Sequence, residues 1–211
     1  MMKDILILGA QGFGREVLQW IKDVNKVTPT WNIKGFLDDD LTALDGYECD
    51  YRILGTIKDW QPSENEVFVF AIASPAIKER LAAMLKAKGA KFATVVHPTS
   101  IIGDFCKIGE GLVVTPRAKI SPNVTMGDFV TVLGCGVGHD AEIGDYSTLC
   151  GYCAVCGHVK LGKRVFVGTS SVVAPSKKVG DDVYICTGSM VLTNIKAGYK
   201  VMGNPATRVK F

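Results

Sequence analysis

The 211-residue chain has little net charge, few histidines and no long apolar run, and each shortage excludes something. A formal net charge of +3, with the positive excess lying from Ser100 onward, is too weak for the clustered basic face of a nucleic-acid-binding protein. The opening from Met1 to Gly14 holds one lysine and the short aliphatic run Ile5 to Leu8 before glycines begin. A secretory signal needs a longer apolar stretch and a bilayer span needs roughly 20 residues, so the expectation is a cytoplasmic protein without membrane insertion. No low-complexity tail is present, and 47% hydrophobic with 21% charged residues is a globular composition. The three histidines are His97, His139 and His158.

Seven cysteines are an odd number, expected to stay reduced in a cytoplasmic chain. Cys150, Cys153 and Cys156 have a spacing that invites a metal or iron–sulfur reading, but no fourth ligand is spaced to complete such a site. Ordinary slots of the repeat described below account for them.

Two periods divide the chain, predicting a small α/β Rossmann-like domain over 1–98 and an all-β domain over 99–211. In the first part, strands are expected at Ile5 to Leu8, Ile33 to Leu37, Val67 to Ala73 and Phe92 to Val96. Val17, Leu18 and Ile21 mark one helix, and Ile77, Leu81 and Leu85 mark a second, closed by Gly89. Buried strands joined by helices predict a parallel sheet with a crevice at the strand ends. Gly9, Gly12 and Gly14 give G-x-x-G-x-G rather than the dinucleotide spacing G-x-G-x-x-G. That turn admits two readings, a phosphate or nucleotide cradle at a helix N-terminus and a tight turn with no ligand.

From Ile101 the period becomes six. Aliphatic residues recur at Ile102, Ile108, Val114, Ile120, Met126 and Val132, and after a slip of one residue at Ile143, Leu149, Val155, Leu161, Val167, Val173, Val179, Ile185 and Val191. Glycine often follows, and the fourth residue on is small or apolar. Such hexads predict a solenoid of short flat strands, three to a coil, with the aliphatic residue inside and a tight corner after it. The slip lies between Val132 and Ile143 and His139 is expected to sit in it, and a break in a regular stack is where sites tend to occur; a turn histidine at the surface is the other reading.

These hexads, the segment Gly138-His139-Asp140-Ala141-Glu142-Ile143-Gly144-Asp145-Tyr146, the Leu6 to Gly14 opening and the closing Gly203-Asn204-Pro205-Ala206 resemble the hexapeptide-repeat acyltransferases. Within them the chain is most similar to the sialic acid O-acetyltransferase and nucleotide-amino-sugar N-acetyltransferase family, over nearly its whole length. The resemblance implies a left-handed parallel β-helix, a homotrimer and acetyl-CoA as co-substrate, with no metal. It makes His139 the general base, a task that suits neutral imidazole near pH 7, and Asp140 the carboxylate that orients the ring and raises its basicity. From spacing alone, Asp140 is equally a solvated turn residue whose side chain diverges from its neighbour's. The implied acetyl-CoA contacts, in a groove between subunits, fall at Thr148, Gly157, Thr169 and Thr187. Gly157 suits an oxyanion or pantetheine contact, whereas the threonines also fit ordinary hexad slots. Arg208 reads either as a partner for CoA phosphate or as a solvated terminal residue.

Acceptor contacts are implied at Gln11, Gly12, Phe13, Asp38 and Asp39, and near Ala73. Phe13 departs from the family pattern, since many relatives acting on nucleotide-linked amino sugars have histidine there. An aromatic ring can stack on a base or sugar but does not replace histidine's polar contacts. The activity expected is acetyl-CoA-dependent N-acetylation of a nucleotide-linked amino sugar; the alternative is O-acetylation of sialic acid or another sugar. Two readings from other classes are a non-catalytic hexapeptide scaffold and a metal enzyme, the latter requiring His97, His139 and His158 to converge although His97 precedes the expected solenoid.

Overall fold

A computed structural model describes residues 2–210. The N-terminal part holds β1 (Lys3–Leu8), α1 (Gly12–Val27), β2 (Trp31–Leu37), β3 (Ile53–Gly55), β4 (Glu66–Phe70) and α2 (Pro75–Ala87). Its sheet is parallel, in the order β3-β2-β1-β4. Ile5 to Leu8 are fully buried because β1 is covered on both faces. Ile5 and Ile7 pack with Val17, Leu18 and Ile21 of α1, while Leu6 and Leu8 pack with Leu81, Ala82 and Leu85 of α2.

Three sequence expectations need correction. Phe92 to Val96 is not one strand of this sheet: Phe92 makes a single bridge to Phe68, and Val95–Val96 pairs with Val113–Val114 as the first strand of the solenoid. β3 was not expected, because Ile53–Gly55 is too short to show alternation. The stripe on α2 is rotated, with Ile77 exposed and Lys78 buried, because this helix also rests on a wall of oxygen acceptors described below.

From Val95 onward the chain winds into a left-handed parallel β-helix with three sheets as its sides. The first face runs from Val95–Val96 through Val113–Val114, Thr131–Val132, Thr148–Leu149, Phe166–Val167 and Tyr184–Ile185 to Lys200–Met202, closed by the antiparallel Thr207–Arg208. The second contains Ile101–Ile102, Lys119–Ile120, Gly136–Val137, Ala154–Val155, Val172–Val173 and Met190–Val191. The third contains Lys107–Ile108, Thr125–Met126, Glu142–Ile143, Lys160–Leu161 and Lys178–Val179. Every aliphatic hexad residue from Val114 to Val191 is buried in one interior cluster. In the first coil Ile102 is half-buried and Ile108 exposed, since no coil covers them from above.

The slip in the repeat is located by strand pairing. Val132 stacks between Val114 and Leu149, and Val137, only five residues on, stacks between Ile120 and Val155. The shortened corner is therefore Leu133 to Gly136, where Gly134 at φ +54 takes the left-handed position held by Arg117 and Tyr152 in adjacent coils. His139 follows in a hexad of normal length from Val137 to Ile143, so it lies just past the slip rather than in it.

The outward positions give the three faces different characters. On the first face Val95 and Val113 complete the core under α1, and Thr131 and Thr148 are covered by α2 and the residues leading into it. The third face carries the charged column Lys107, Glu142, Lys160 and Lys178, all exposed. The second presents Gly136, Ala154, Val172 and Met190, small or apolar and half-exposed.

Candidate active site

His139 and Asp140 form the corner between the second and third faces. Each coil turns this corner through one residue in the left-handed region: Asn123 at φ +60, Asp140 at +58 and His158 at +58. Short polar side chains tolerate that conformation best, which suits Asn and Asp there. It also reverses the usual divergence of neighbouring side chains. His139 Nδ1 and Asp140 Oδ2 are 2.7 Å apart, so the contact that spacing alone left open is made. The His139 hydrogen bond is the main cause holding the Asp140 carboxyl below its ordinary range. An ionised Asp140 can only accept a hydrogen bond from Nδ1–H, an arrangement that leaves the Nε2 lone pair of a neutral ring unoccupied by Asp140.

The ring rests on the coil below. A methyl group added at Gly157 would lie 2.8 Å from His139 Nε2 and 2.9 Å from Cε1, so a side chain there and the ring cannot coexist as placed. The backbone is fixed on both sides, with the His158 amide donating to His139 O at 2.9 Å and the Asp140 amide donating to Pro122 O at 3.2 Å. His158 stacks one coil beneath Asp140. Its ring meets His139 edge to face with centroids 5.0 Å apart, and its Nε2 is 3.8 Å from Asp140 Oδ2. Sequence reading weighed His158 for a role only as part of a three-histidine metal set; its separation from Asp140 by one coil was the signal that they meet.

Of the four residues matched to acetyl-CoA contacts, only Gly157 lies with His139. Thr169 and Thr187 are exposed at the corner between the first and second faces, at the opposite edge of the second face from His139. Thr148 is fully buried on the first face and donates its hydroxyl to Ala73 O at 2.7 Å, so within this chain it is sealed from a ligand. The implied acceptor residues do gather at the strand ends. Gln11 caps α1 with no side-chain hydrogen bond, leaving first-turn amides near Gly12 and Phe13 without a side-chain acceptor from the cap. Gly14 touches the β1 turn so closely that a methyl there would fall 2.2 Å from Gly9 O. Asp38 accepts from the Ala10 amide at 2.7 Å and the Asp40 amide at 2.9 Å, and Asp39 accepts from the Ile57 amide at 3.0 Å. Both carboxylates thus brace the loops at the ends of these strands. Phe13 meets Trp20 edge to face at 5.9 Å.

His97 does not join the other histidines. Its Nδ1 pairs with Thr99 at 2.9 Å and its Nε2 faces Asp23 at 3.5 Å, so the three-histidine convergence does not occur. A further ionisable group holds the two parts of the chain together. Lys78, fully buried, donates to Phe129 O at 2.9 Å, Thr131 Oγ1 at 3.0 Å and Ser147 O at 3.2 Å, and burial pushes its amine down to about 7.

Among the described residues no helix is long and apolar enough to cross a membrane. A family profile described as the PglD N-terminal domain matches residues 4–85. The GDP-perosamine N-acetyltransferase of Escherichia coli O157:H7 is 29% identical over 216 residues, spanning 97% of this chain and 95% of that one. WeeI from Acinetobacter baumannii AYE superposes with a TM-score of 0.86 at 27% identity, covering 99% of this chain and 100% of that one. The acetyltransferase domain of PglB from Neisseria gonorrhoeae FA1090, in complex with acetyl coenzyme A, shares the fold with a TM-score of 0.88 at 23% identity, over 99% of this chain and 100% of that one.

Proposed function

We propose that the chain is a hexapeptide-repeat acyltransferase, as its similarity to known acetyltransferases supports, and that it transfers the acetyl group of acetyl-CoA to the amino group of a nucleotide-linked sugar, with His139 as general base. The observation that carries this reading is the His139–Asp140 pair at 2.7 Å on an exposed corner, with the ring lying over Gly157. Nε2 removes the acceptor's proton as its nitrogen attacks the thioester carbon. The C–S bond then breaks, and the coenzyme leaves as a thiol once the imidazolium returns a proton. Asp140 holds the ring in the tautomer this needs and stabilises the imidazolium. Support for the acceptor class is the near full-length similarity to an enzyme named for GDP-perosamine, together with the uncapped α1 N-terminus, a ready cradle for phosphate. Gln11, Gly12, Phe13, Asp38, Asp39 and Ala73 would line that crevice in an acceptor domain over 1–98, and 99–211 would carry the transfer chemistry.

We read the chain as a homotrimer, and the same geometry supports a site shared between subunits. The N-terminal part covers the first face, whereas His139 stands on the edge between the other two, across the thickness of the prism. One chain therefore does not offer its own crevice to its own base. The half-exposed Gly136, Ala154, Val172 and Met190 column suits a subunit contact, with His139 along one edge and Thr169 and Thr187 along the other. A neighbour's threonine edge could then close the acetyl-CoA groove beside His139. The reading is tested by incubating the protein with acetyl-CoA and amino- and hydroxyl-bearing sugars, free or linked to nucleoside diphosphates, while following free thiol. Thiol release confined to the nucleotide-linked amines supports it; release with free sialic acid alone would transfer the assignment to O-acetylation.

A further inference from the structure

Asp140 stands between two imidazoles. One atom each from His139, Asp140 and His158 lies within 4.8 Å of the others, with Oδ2 at 2.7 Å from His139 Nδ1 and 3.8 Å from His158 Nε2. We propose that these three side chains bind a transition-metal dication of the zinc class and that its occupancy blocks the corner by taking up the base. The ion is an inhibitor here, not a cofactor. Binding stands on the three side chains alone, whereas the inhibitory consequence rests on the reading of His139 as the base.

Two imidazole nitrogens and one carboxylate oxygen are donors that favour zinc, cobalt, nickel or copper over calcium or magnesium. Zinc holds such ligands at about 2.0–2.2 Å in a tetrahedron, which sets donor atoms roughly 3.3–3.5 Å apart. Reaching that spacing needs the His139–Asp140 contact to open and the His158–Asp140 contact to close, each by less than about an ångström, a rotation available to side chains that are 61%, 38% and 60% exposed. The backbone under them does not have to move, since successive coils are bonded to each other at this corner. Asn123, on the coil above, is among the groups that lower the Asp140 carboxyl and so favour its anionic, ligating form from outside the donor set. The remaining coordination positions open to solvent. A metal on Nδ1 of His139 requires the other neutral tautomer, with the ring proton on Nε2, so Nε2 can no longer accept a proton and two metal bonds replace one hydrogen bond.

The test titrates zinc and, separately, cobalt(II) into metal-free protein by calorimetry and visible absorption, using wild type and His158→Gln. The expected result is one ion per chain, a tetrahedral or five-coordinate cobalt spectrum without thiolate charge-transfer bands, and at least about a 10-fold affinity loss in His158→Gln. In the thiol-release assay zinc should inhibit the wild type, and whatever rate His158→Gln shows without metal should be insensitive to zinc. Unchanged affinity in His158→Gln, no saturable binding, or cobalt–thiolate bands pointing to the cysteines would overturn the proposal. Should the protein transfer no acetyl group at all, the acetyltransferase reading fails while the calorimetry still decides the metal site.

Discussion

The imidazole of His139 occupies the space that a side chain at position 157 would fill, with Nε2 only 2.8 Å from where a methyl carbon would stand. Gly157 therefore seats the imidazole by being bare. Gly157→Ala is expected to push the ring off its seat and lower kcat by about 10- to 100-fold, the scale of an ångström-sized misplacement. Circular dichroism and Tm should change little, because Gly157 is not in the left-handed region. Full activity in this variant would mean that ring position does not matter.

Asp140→Asn keeps the shape of the corner and removes the charge facing Nδ1. Asparagine no longer fixes Nδ1 as the protonated nitrogen of the ring, so kcat/KM should fall across the whole profile with Tm unchanged. Asp140 is itself held below the ordinary carboxylate range, so it stays ionised through neutral pH and adds no limb of its own there. A pH profile superimposable on that of the wild type would leave Asp140 without a role.

Lys78 links stability to pH. Its folded-state value of about 7 lies below the ordinary lysine value, so between those two values the unfolded chain binds a proton that the folded chain releases. Stability from this group is therefore complete above the unfolded value and is lost as pH falls toward 7. Relative to Lys78→Met, the wild type should gain up to about 1.4 kcal/mol per pH unit through that window. Urea unfolding of both proteins at about pH 7.5 and about pH 9.5 reads the difference. Parallel behaviour would show that Lys78 keeps its proton throughout.

If each site joins the crevice of one copy to the His139 of another, two crippled chains should rescue one another. Gly12→Glu places an acid at the α1 N-terminus, in open space where nothing but Arg15 lies within 4 Å, and repels a phosphate there. Oligomers formed by co-expressing Gly12→Glu with His139→Ala are expected to be active when neither parent is, and sedimentation should give a trimer. An active monomer, or no rescue in confirmed mixed oligomers, would contradict the shared site.

Much of this was legible in the hexads, because one aliphatic residue per six is a direct consequence of coil geometry, and Val114 to Val191 are buried as that period requires. Other features were hidden for identifiable reasons. Val95–Val96 looked like sheet because a two-residue strand carries no period, and only its pairing with Val113–Val114 assigns it to the solenoid. Lys78 contradicts the apolar stripe on α2, since the acceptors that satisfy its amine lie on residues 129, 131 and 147, far along the chain. The His139–Asp140 contact depends on a left-handed backbone at Asp140, which no spacing rule reports. His158 was within reach of inference, being one coil from Asp140, had the corner positions been stacked as the interior ones were.

The role of His139 is tested most directly by single-turnover and steady-state rates of His139→Ala with acetyl-CoA and a nucleotide-linked amino sugar. The account predicts a loss of turnover of about 100- to 10,000-fold, with Tm and oligomeric state unchanged. A variant that turns over at the wild-type rate while remaining folded would contradict it.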